Sequence, residues 1–349
     1  MKSLLPVSRL DLDHILDHTR DLWDELCGQR IFITGGTGFF GCWLLESFTW
    51  AVEQLGLDTQ AFVLTRSPDA FLQKAPHLAG HRSVTLIQGD VRTFDYPTGT
   101  FGYIIHAATE SNANLNTENP LLMLDTIVQG TRRTLEFSKT CGAGKFLLTS
   151  SGAIYGKQPS DLTHIPEDYP GAPGPLDPKS AYGMGKRMAE HLCSLYSRET
   201  NIEIKIARCF AFVGPYLPLD IHFAIGNFIR DALNGGPIVI KGDGTPRRSY
   251  LYAADLAIWL WTVFFKGQSL RPYNVGSESD LSIAETAQIV ARNLNSNIQI
   301  EIRGVRKSDE SIERYVPSVK RIKTELGIQE WVSVEKGILY TGNFLRGKL

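Results

Sequence analysis

The apolar run Ile31 to Thr34 leads straight into Gly35-Gly-Thr-Gly38-Phe39-Phe40-Gly41, with glycines at 35, 38 and 41. No other stretch of the 349 residues limits the fold so strongly. Glycines at these positions permit a tight turn out of a strand, a close approach of backbone to a pyrophosphate, and close packing of the helix that follows. The first N–H groups of that helix then face the phosphate charge. A strand, this loop and a helix in that order predict a dinucleotide-binding unit, with Gly35, Gly38, Phe39, Phe40 and Gly41 against the cofactor.

The chain around the loop agrees with such a unit. Ala61 to Thr65, Val84 to Gln88, Tyr103 to His106, Lys145 to Thr149 and Ile202 to Ala207 read as further short buried strands, mostly separated by helical patterns. Alternation of this kind predicts an α/β fold, a doubly wound parallel sheet covered by helices on both faces. Leu12, Ile15, Leu16, Leu22, Trp23 and Leu26 recur at helical spacing and predict an amphipathic helix over 9–27. After Gly214-Pro215 the pattern becomes irregular and richer in Pro and Gly. The expected division is an N-terminal helical extension (1–28), a dinucleotide-binding domain (29–214, with later segments returning to it) and a mainly substrate-binding domain (215–349).

Composition narrows the partners. A formal net charge of -1 gives no general attraction to nucleic acid or anionic membrane. The five scattered cysteines have neither metal-ligand spacing nor a disulfide framework, which fits a reducing cytoplasm and predicts no metal. Met1 to Arg30 carries acidic residues at 11, 13, 17, 21, 24 and 25 and no apolar run, unlike a signal peptide. The most apolar window, Leu256 to Phe265, is too short to span a membrane and reads as a buried helix.

The end of the second strand bears on the choice of cofactor. An acidic residue there binds free ribose hydroxyls, but this chain has Thr65-Arg66-Ser67, and Asp58 lies at the wrong end of the strand. Arg66 suits a ribose phosphate, which tilts the expectation from NAD toward NADP; an exposed arginine that meets only solvent is the alternative. Asp90, followed by Val91 after the third strand, is placed to meet the adenine amine, unless it is a plain turn aspartate.

Downstream, Tyr182 and Lys186 stand four residues apart, one helical turn, so an ammonium can lie beside a phenol and favour its ionised form. The spacing alone is common. Together with the glycine loop, His106-Ala107-Ala108 and Thr149-Ser150-Ser151-Gly-Ala-Ile-Tyr155-Gly156, it resembles the extended short-chain dehydrogenase/reductase family, over about residues 30 to 345. Asn227-Phe-Ile, Gly242-Asp-Gly-Thr and Arg248-Ser-Tyr-Leu-Tyr-Ala-Ala-Asp255 resemble the substrate half of its nucleotide-sugar epimerases and dehydratases. The resemblance implies that Tyr182 is the acid/base, that Lys186 lowers its pKa and holds the nicotinamide ribose, and that Ser151 bonds the reacting sugar oxygen, with Thr149 and Ser150 as competitors. It further implies cofactor contacts at Ala107 and Ala108 and a diphosphate held by Asn227, Arg248 and Arg314. Either arginine has a structural ion pair as its alternative.

Departures from the family pattern shape the reaction expected. Its 4,6-dehydratases carry Asp-Glu where this chain has Gly152-Ala153, related dehydratases and decarboxylases carry at least the Glu, and elimination of water needs a base and an acid there. Ala211 and Ile127 stand where the family usually has asparagine. Small residues at 152 and 153 resemble the family's sugar 4-epimerases, which implies oxidation at C4 of a nucleotide-diphosphate sugar by a 4-epimerase. A 4-keto-sugar reductase, a decarboxylase and an atypical dehydratase are the alternatives, and a catalytically silent dinucleotide sensor is a remote one. A reductase of steroids or flavonoids would have no use for the Asn227, Gly242-Asp-Gly-Thr and Arg248 set. The resemblance also implies a homodimer through the helices near 120–138 and 182–198.

Overall fold

The computed structural model of the protein describes residues 5–109, 113–220, 224–306 and 311–347. The first four residues of the N-terminal extension lie outside these. The strands read from the sequence form as β1 (Arg30–Thr34), β2 (Gln60–Thr65), β3 (Val84–Gln88), β4 (Tyr103–His106), β5 (Lys145–Ser151) and β6 (Glu203–Cys209). After them come the short strands β7 (Phe212–Val213), β8 (Ile238–Ile240), β9 (Arg247–Arg248), β10 (Leu251–Tyr252), β11 (Pro272–Val275), β12 (Leu281–Ser282), β13 (Ile300–Ile302) and β14 (Arg314–Tyr315). The helices are α1 (Arg9–Thr19), α2 (Phe39–Leu55), α3 (Pro68–Lys74), α4 (Pro76–Ala79), α5 (Ala113–Glu118), α6 (Pro120–Cys141), α7 (Ala181–Glu199), α8 (Ala224–Asn234), α9 (Ala253–Lys266), α10 (Ile283–Leu294), α11 (Lys320–Leu326) and α12 (Val334–Leu345).

Seven strands form one parallel sheet in the order β11-β6-β5-β4-β1-β2-β3. Both faces are covered, which is why the strands read as continuous apolar runs. In β1, Ile31 and Ile33 join the core beneath α2 and α9, while Phe32 joins the opposite core with Phe146, Leu148 and residues of α6 and α7. The strand order reverses between β1 and β4. At such a switch point the loops leaving neighbouring strands diverge and open a crevice, where ligands bind in sheets of this kind.

The apolar window 256–265 forms most of α9, and its side chains are buried. β11 then returns to the main sheet beside β6, so part of the irregular C-terminal half completes the first domain's sheet. No helix among the described residues is long and apolar enough to cross a membrane.

The extension differs from the single helix expected over 9–27. α1 ends at Thr19, and Arg20–Leu26 continues as a tighter 3-10 turn. Thr19 Oγ1 donates back to the Ile15 carbonyl at 2.6 Å and accepts from Trp23 Nε1 at 3.0 Å, replacing helix contacts at the junction. Leu12, Leu16, Leu22, Trp23 and Leu26 are buried in the same core as α2 and α9. The Asp11 carboxylate accepts the Tyr252 hydroxyl at 2.9 Å.

Candidate active site

The glycine loop sits in the β1/β4 crevice, held by contacts that leave no room for a side chain at Gly35 or Gly41. Gly35 adopts φ +73°, and a Cβ there would lie 2.5 Å from the carbonyl carbon and oxygen of Ala107. A Cβ at Gly41 would lie 2.3 Å from the Gly35 oxygen, so α2 packs directly on the loop. Gly38 caps the helix, and its N–H bonds the Gly35 carbonyl at 3.1 Å. Phe39 and Phe40 begin α2, and the Phe40 ring packs against Phe212.

β4 closes the other side of the crevice. The Ala107 N–H donates to the Thr34 carbonyl at 3.1 Å, and the Ala108 N–H donates to Thr34 Oγ1 at 3.2 Å. The same hydroxyl meets His106 Nδ1 at 2.8 Å, and His106 Nε2 meets Thr131 Oγ1 at 3.1 Å. Burial, with the nearby Lys186 charge, pushes the imidazole down to about 3, so His106 is a neutral strut tying β4 to β1 and α6. Next to Ala108, the Thr109 hydroxyl is buried without a hydrogen-bond partner. A backbone cradle that a Cβ at Gly35 or Gly41 would fill, with an unpaired hydroxyl beside it, fits a dinucleotide.

At the outer edge, Arg92 grips Asp90 with two hydrogen bonds, of 2.9 and 3.0 Å. This contact, assisted by the Arg66 charge, holds the Asp90 carboxyl below the usual carboxylate range. The carboxylate expected to meet adenine is thus already engaged by an arginine. Val91 packs against α6, where a Cβ on Gly130 would come within 2.9 Å of it. Lys74 Nζ donates to the Thr37 carbonyl of the glycine loop at 2.8 Å. Sequence reading missed this ammonium because it comes at the end of α3, beyond the strand-end position at which charge is normally sought.

Tyr182 enters on the first turn of α7, its N–H anchored on Asn116 Oδ1 at 3.0 Å. One turn on, Lys186 Nζ donates to the Thr149 carbonyl at 2.8 Å and lies 5.9 Å from the centre of the Tyr182 ring. Burial pushes the Tyr182 phenol up to about 12, while its hydrogen bond with Ser151 pulls the other way. Burial also pushes Lys186 down to about 8, partly offset by the Glu190 charge. Of the three candidate hydroxyls, Ser151 meets Tyr182. Ser150 Oγ donates to Glu190 at 2.5 Å and Thr149 Oγ1 to the His106 carbonyl at 3.3 Å. An open cleft of about 420 Å³ lies beside Tyr182, lined also by Asn116, Ala153, Gly156, Lys179 and Tyr315.

Two of the departures noted in the sequence, at Gly152 and Ile127, have steric explanations. A Cβ at Gly152 would lie 2.6 Å from the Phe210 ring and 2.8 Å from the Tyr315 hydroxyl, so this position holds no side chain. Ile127 is buried beneath α7, where a Cβ on Gly185 would meet it at 3.1 Å. An apolar helix contact thus replaces the usual asparagine.

The three residues expected at the diphosphate are differently placed. β14 pairs with β9 in the register Arg314 to Arg247 and Tyr315 to Arg248. Successive side chains of a strand point to opposite faces, so Arg248 shares a face with Tyr315, and its charge reaches that phenol. Arg248 also pairs with Glu313 at the surface. Arg314 lies on the other face and pairs with Asp280, which Arg247 Nε also bonds at 2.7 Å. The structure therefore brings Arg248 toward the cleft and commits Arg314 to an ion-pair cluster. Asn227 Oδ1 accepts Arg230 Nη1 at 3.3 Å.

Residues 31–276 match the family described as the NAD dependent epimerase/dehydratase family. UDP-glucuronic acid decarboxylase 5 of Arabidopsis thaliana is 30% identical over 89% of this chain and 87% of its own length. Among solved structures, UDP-glucose 4-epimerase from Thermotoga maritima superposes with a TM-score of 0.76 at 21% identity, over 91% of this chain and 99% of that one. A dTDP-glucose 4,6-dehydratase from Streptomyces venezuelae, with NAD bound, superposes with a TM-score of 0.77 at 23% identity, over 91% and 97%.

Proposed function

The chain belongs to the NAD-dependent epimerase/dehydratase family, and from that premise we propose that it is a nucleotide-sugar 4-epimerase that begins by oxidising its substrate at C4. The observation that carries this reading is the meeting of Ser151, Tyr182 and Lys186 beside the glycine loop, with Gly152 and Ala153 offering neither acid nor base. A bound nicotinamide supplies the acceptor for the hydride. The chain's own residues handle the proton. Tyr182 takes it from the sugar hydroxyl, Ser151 holds the oxygen from which it leaves, and Lys186, still an ammonium at neutral pH and 5.9 Å from the Tyr182 ring centre, would favour the ionised phenol against the burial that raises it. Returning hydride and proton to the other face of the ketone inverts C4 with no further acid.

Residues 29–214 would hold the cofactor and 215–349 mainly the sugar nucleotide, with Arg248 on the diphosphate. The family's description makes NAD the first choice of cofactor, and Arg66 at the end of β2 keeps NADP as the second. An Arg66→Ala variant that loses NADP affinity but not NAD affinity in calorimetry would support a phosphate role for this residue. The outer faces of α6 and α7, where Leu121, Met188 and Leu195 are exposed, would form a homodimer.

Decarboxylation is a second reading, favoured by the relatives named UDP-glucuronic acid decarboxylase. A ketone at C4 lies β to a carboxylate on C5, so carbon dioxide can leave without a side-chain acid at 152 or 153. Incubation with UDP-, dTDP-, GDP- and CDP-sugars, read by mass spectrometry and NMR, separates the readings. Unchanged mass with inverted C4 supports epimerisation, and loss of carbon dioxide supports the second reading. Loss of water or gain of two hydrogens would overturn both. Tyr182→Phe should lower turnover by about 10²- to 10⁴-fold, and unaltered turnover would remove Tyr182 from the mechanism.

A further inference from the structure

Gly152 lacks a side chain because the Phe210 ring and Tyr315 together fill its space, and Tyr315 brings a hydroxyl there. Tyr315 comes from the far end of the chain and is fixed from several sides. Its ring packs on Phe210 with centroids 4.7 Å apart. The next residue, Val316, donates its N–H to Gln158 Oε1 at 3.0 Å and accepts the Ile165 N–H at 2.9 Å. So clamped, the Tyr315 hydroxyl stands 3.5 Å from Ser151 Oγ and 2.8 Å from where a Cβ on residue 152 would be.

We infer that Tyr315 is a positioning residue for proton transfer, its hydroxyl holding Ser151 so that the single Ser151 proton serves one acceptor at a time, the Tyr182 phenolate before the sugar hydroxyl gives up its proton and the sugar oxygen afterwards. The inference rests on the C4-oxidation reading above. A serine hydroxyl has one proton and two lone pairs. The Ala153 N–H donates to one lone pair at 3.1 Å. When Tyr315 donates to the other, Ser151 can only donate onward, and the onward acceptor is Tyr182 once it has lost its proton. The chain Tyr315 to Ser151 to Tyr182 then stabilises the phenolate through two aligned hydroxyl dipoles. A contact of 3.5 Å is long for two hydroxyls, and catalytic hydrogen bonds commonly tighten in the reacting complex.

The groups facing this pair favour a directed chain. Lys186 on α7 and Arg248 on β9 are cationic, and the buried Cys209 thiol on β6, pushed up to about 12, stays neutral. Glu190, the next carboxylate along α7, is committed to Arg208 and Ser150. Burial pushes up both Tyr182 and Tyr315; Tyr315 keeps its proton and donates it, and the hydrogen bond from Ser151 favours ionisation of Tyr182.

The test is Tyr315→Phe, which keeps the ring on Phe210 and removes only the hydroxyl. It is measured with the best substrate of the sugar panel, as single-turnover reduction of bound NAD across pH, beside UDP affinity and thermal unfolding. The expected result is wild-type unfolding and UDP binding, about a tenfold lower rate at neutral pH, and a rise of about one unit in the acidic limb of the pH profile. In carbon-13 tyrosine-labelled holoenzyme, the Tyr182 signal should titrate at correspondingly higher pH. Gly152→Ala, whose Cβ crowds both the Phe210 ring and the Tyr315 hydroxyl, should lower the rate through the same Ser151 contact and add little to Tyr315→Phe in the double variant. A Tyr315→Phe profile identical to wild type, or additive losses in the double variant, would overturn the inference and leave the parent reading intact. Absence of sugar-driven NAD reduction in the wild-type protein would overturn both.

Discussion

The glycine loop and the arginine cluster around β9 and β14 both face phosphate on this reading, yet they are built differently. The loop is held by backbone against backbone, with a Cβ at Gly35 or Gly41 coming within 2.5 or 2.3 Å of main-chain atoms. The cluster is held by side-chain charges already paired within the protein, Arg248 with Glu313 and Arg314 with Asp280. A site closed by sterics is ready before its ligand arrives and does not tolerate substitution. Where ion pairs close the site, a diphosphate must compete with resident carboxylates, and each charge can be varied with moderate effect.

The largest effect should come from testing the steric side. Gly35→Ala combines a disfavoured φ with a collision against Ala107, so it should abolish measurable NAD binding in calorimetry and destabilise the fold by about 2–4 kcal/mol. Binding within a few-fold of wild type would end the distinction between the two regions. Gly38 provides an internal control, because a Cβ there meets only the Gly35 oxygen at 3.4 Å, and Gly38→Ala should retain most of the stability.

On the charged side the effects should be smaller and unequal. Arg248 shares a face with Tyr315, so Arg248→Ala should weaken UDP binding by about tenfold, near the value of one charge-assisted hydrogen bond. Arg314→Ala should change UDP affinity less than threefold, with its cost of about 1 kcal/mol appearing in thermal unfolding through the loss of the Asp280 pair. Equal losses of affinity from both variants would mean that the register of β14 on β9 does not decide which arginine serves the ligand.

The same contrast explains what the sequence made legible. The loop, the six strands from β1 to β6 and the spacing of Tyr182 to Lys186 are local, set by residues within one or two turns of each other. Periodicity and glycine spacing report such features directly. Tyr315 was missed because its position depends on pairing with Arg248 and on hydrogen bonds to Gln158 and Ile165, all distant in sequence. Gly152 and Ala153 carry neither acid nor base on sequence alone, but the reason for a glycine at 152 lies in Phe210 and Tyr315. The pairing of Asp90 with Arg92, two residues away, was within reach, since a turn aspartate beside an arginine is a local ion-pair signal. The split of the first helix at Thr19 was not, because apolar spacing alone does not distinguish an α-helix from a tighter continuation.

The smallest effect in the wild-type protein should be its dependence of stability on mildly acidic pH, because buried groups in two regions oppose each other. Beneath the loop, His106 titrates near 6.5 when unfolded but only near 3 when folded, so between these values the unfolded chain binds more protons. Stability from this residue is present above about 6.5 and falls as pH drops. In the N-terminal extension, burial raises Asp11 to about 6 against an unfolded value of 3.8, with the Tyr252 hydrogen bond and His14 opposing the shift and Asp255 adding to it. Across that interval the folded chain binds more protons, so its contribution is present below 3.8 and is lost as pH rises through 6. Each slope is at most about 1.4 kcal/mol per pH unit, and they cancel over the shared interval. Single variants should expose them. Asp11→Asn, which keeps an acceptor for Tyr252, should make unfolding free energy fall more steeply from pH 6 to pH 4 in urea titrations, whereas His106→Gln should make it rise over the same interval. Parallel slopes in both variants would show that the two buried groups do not set this balance.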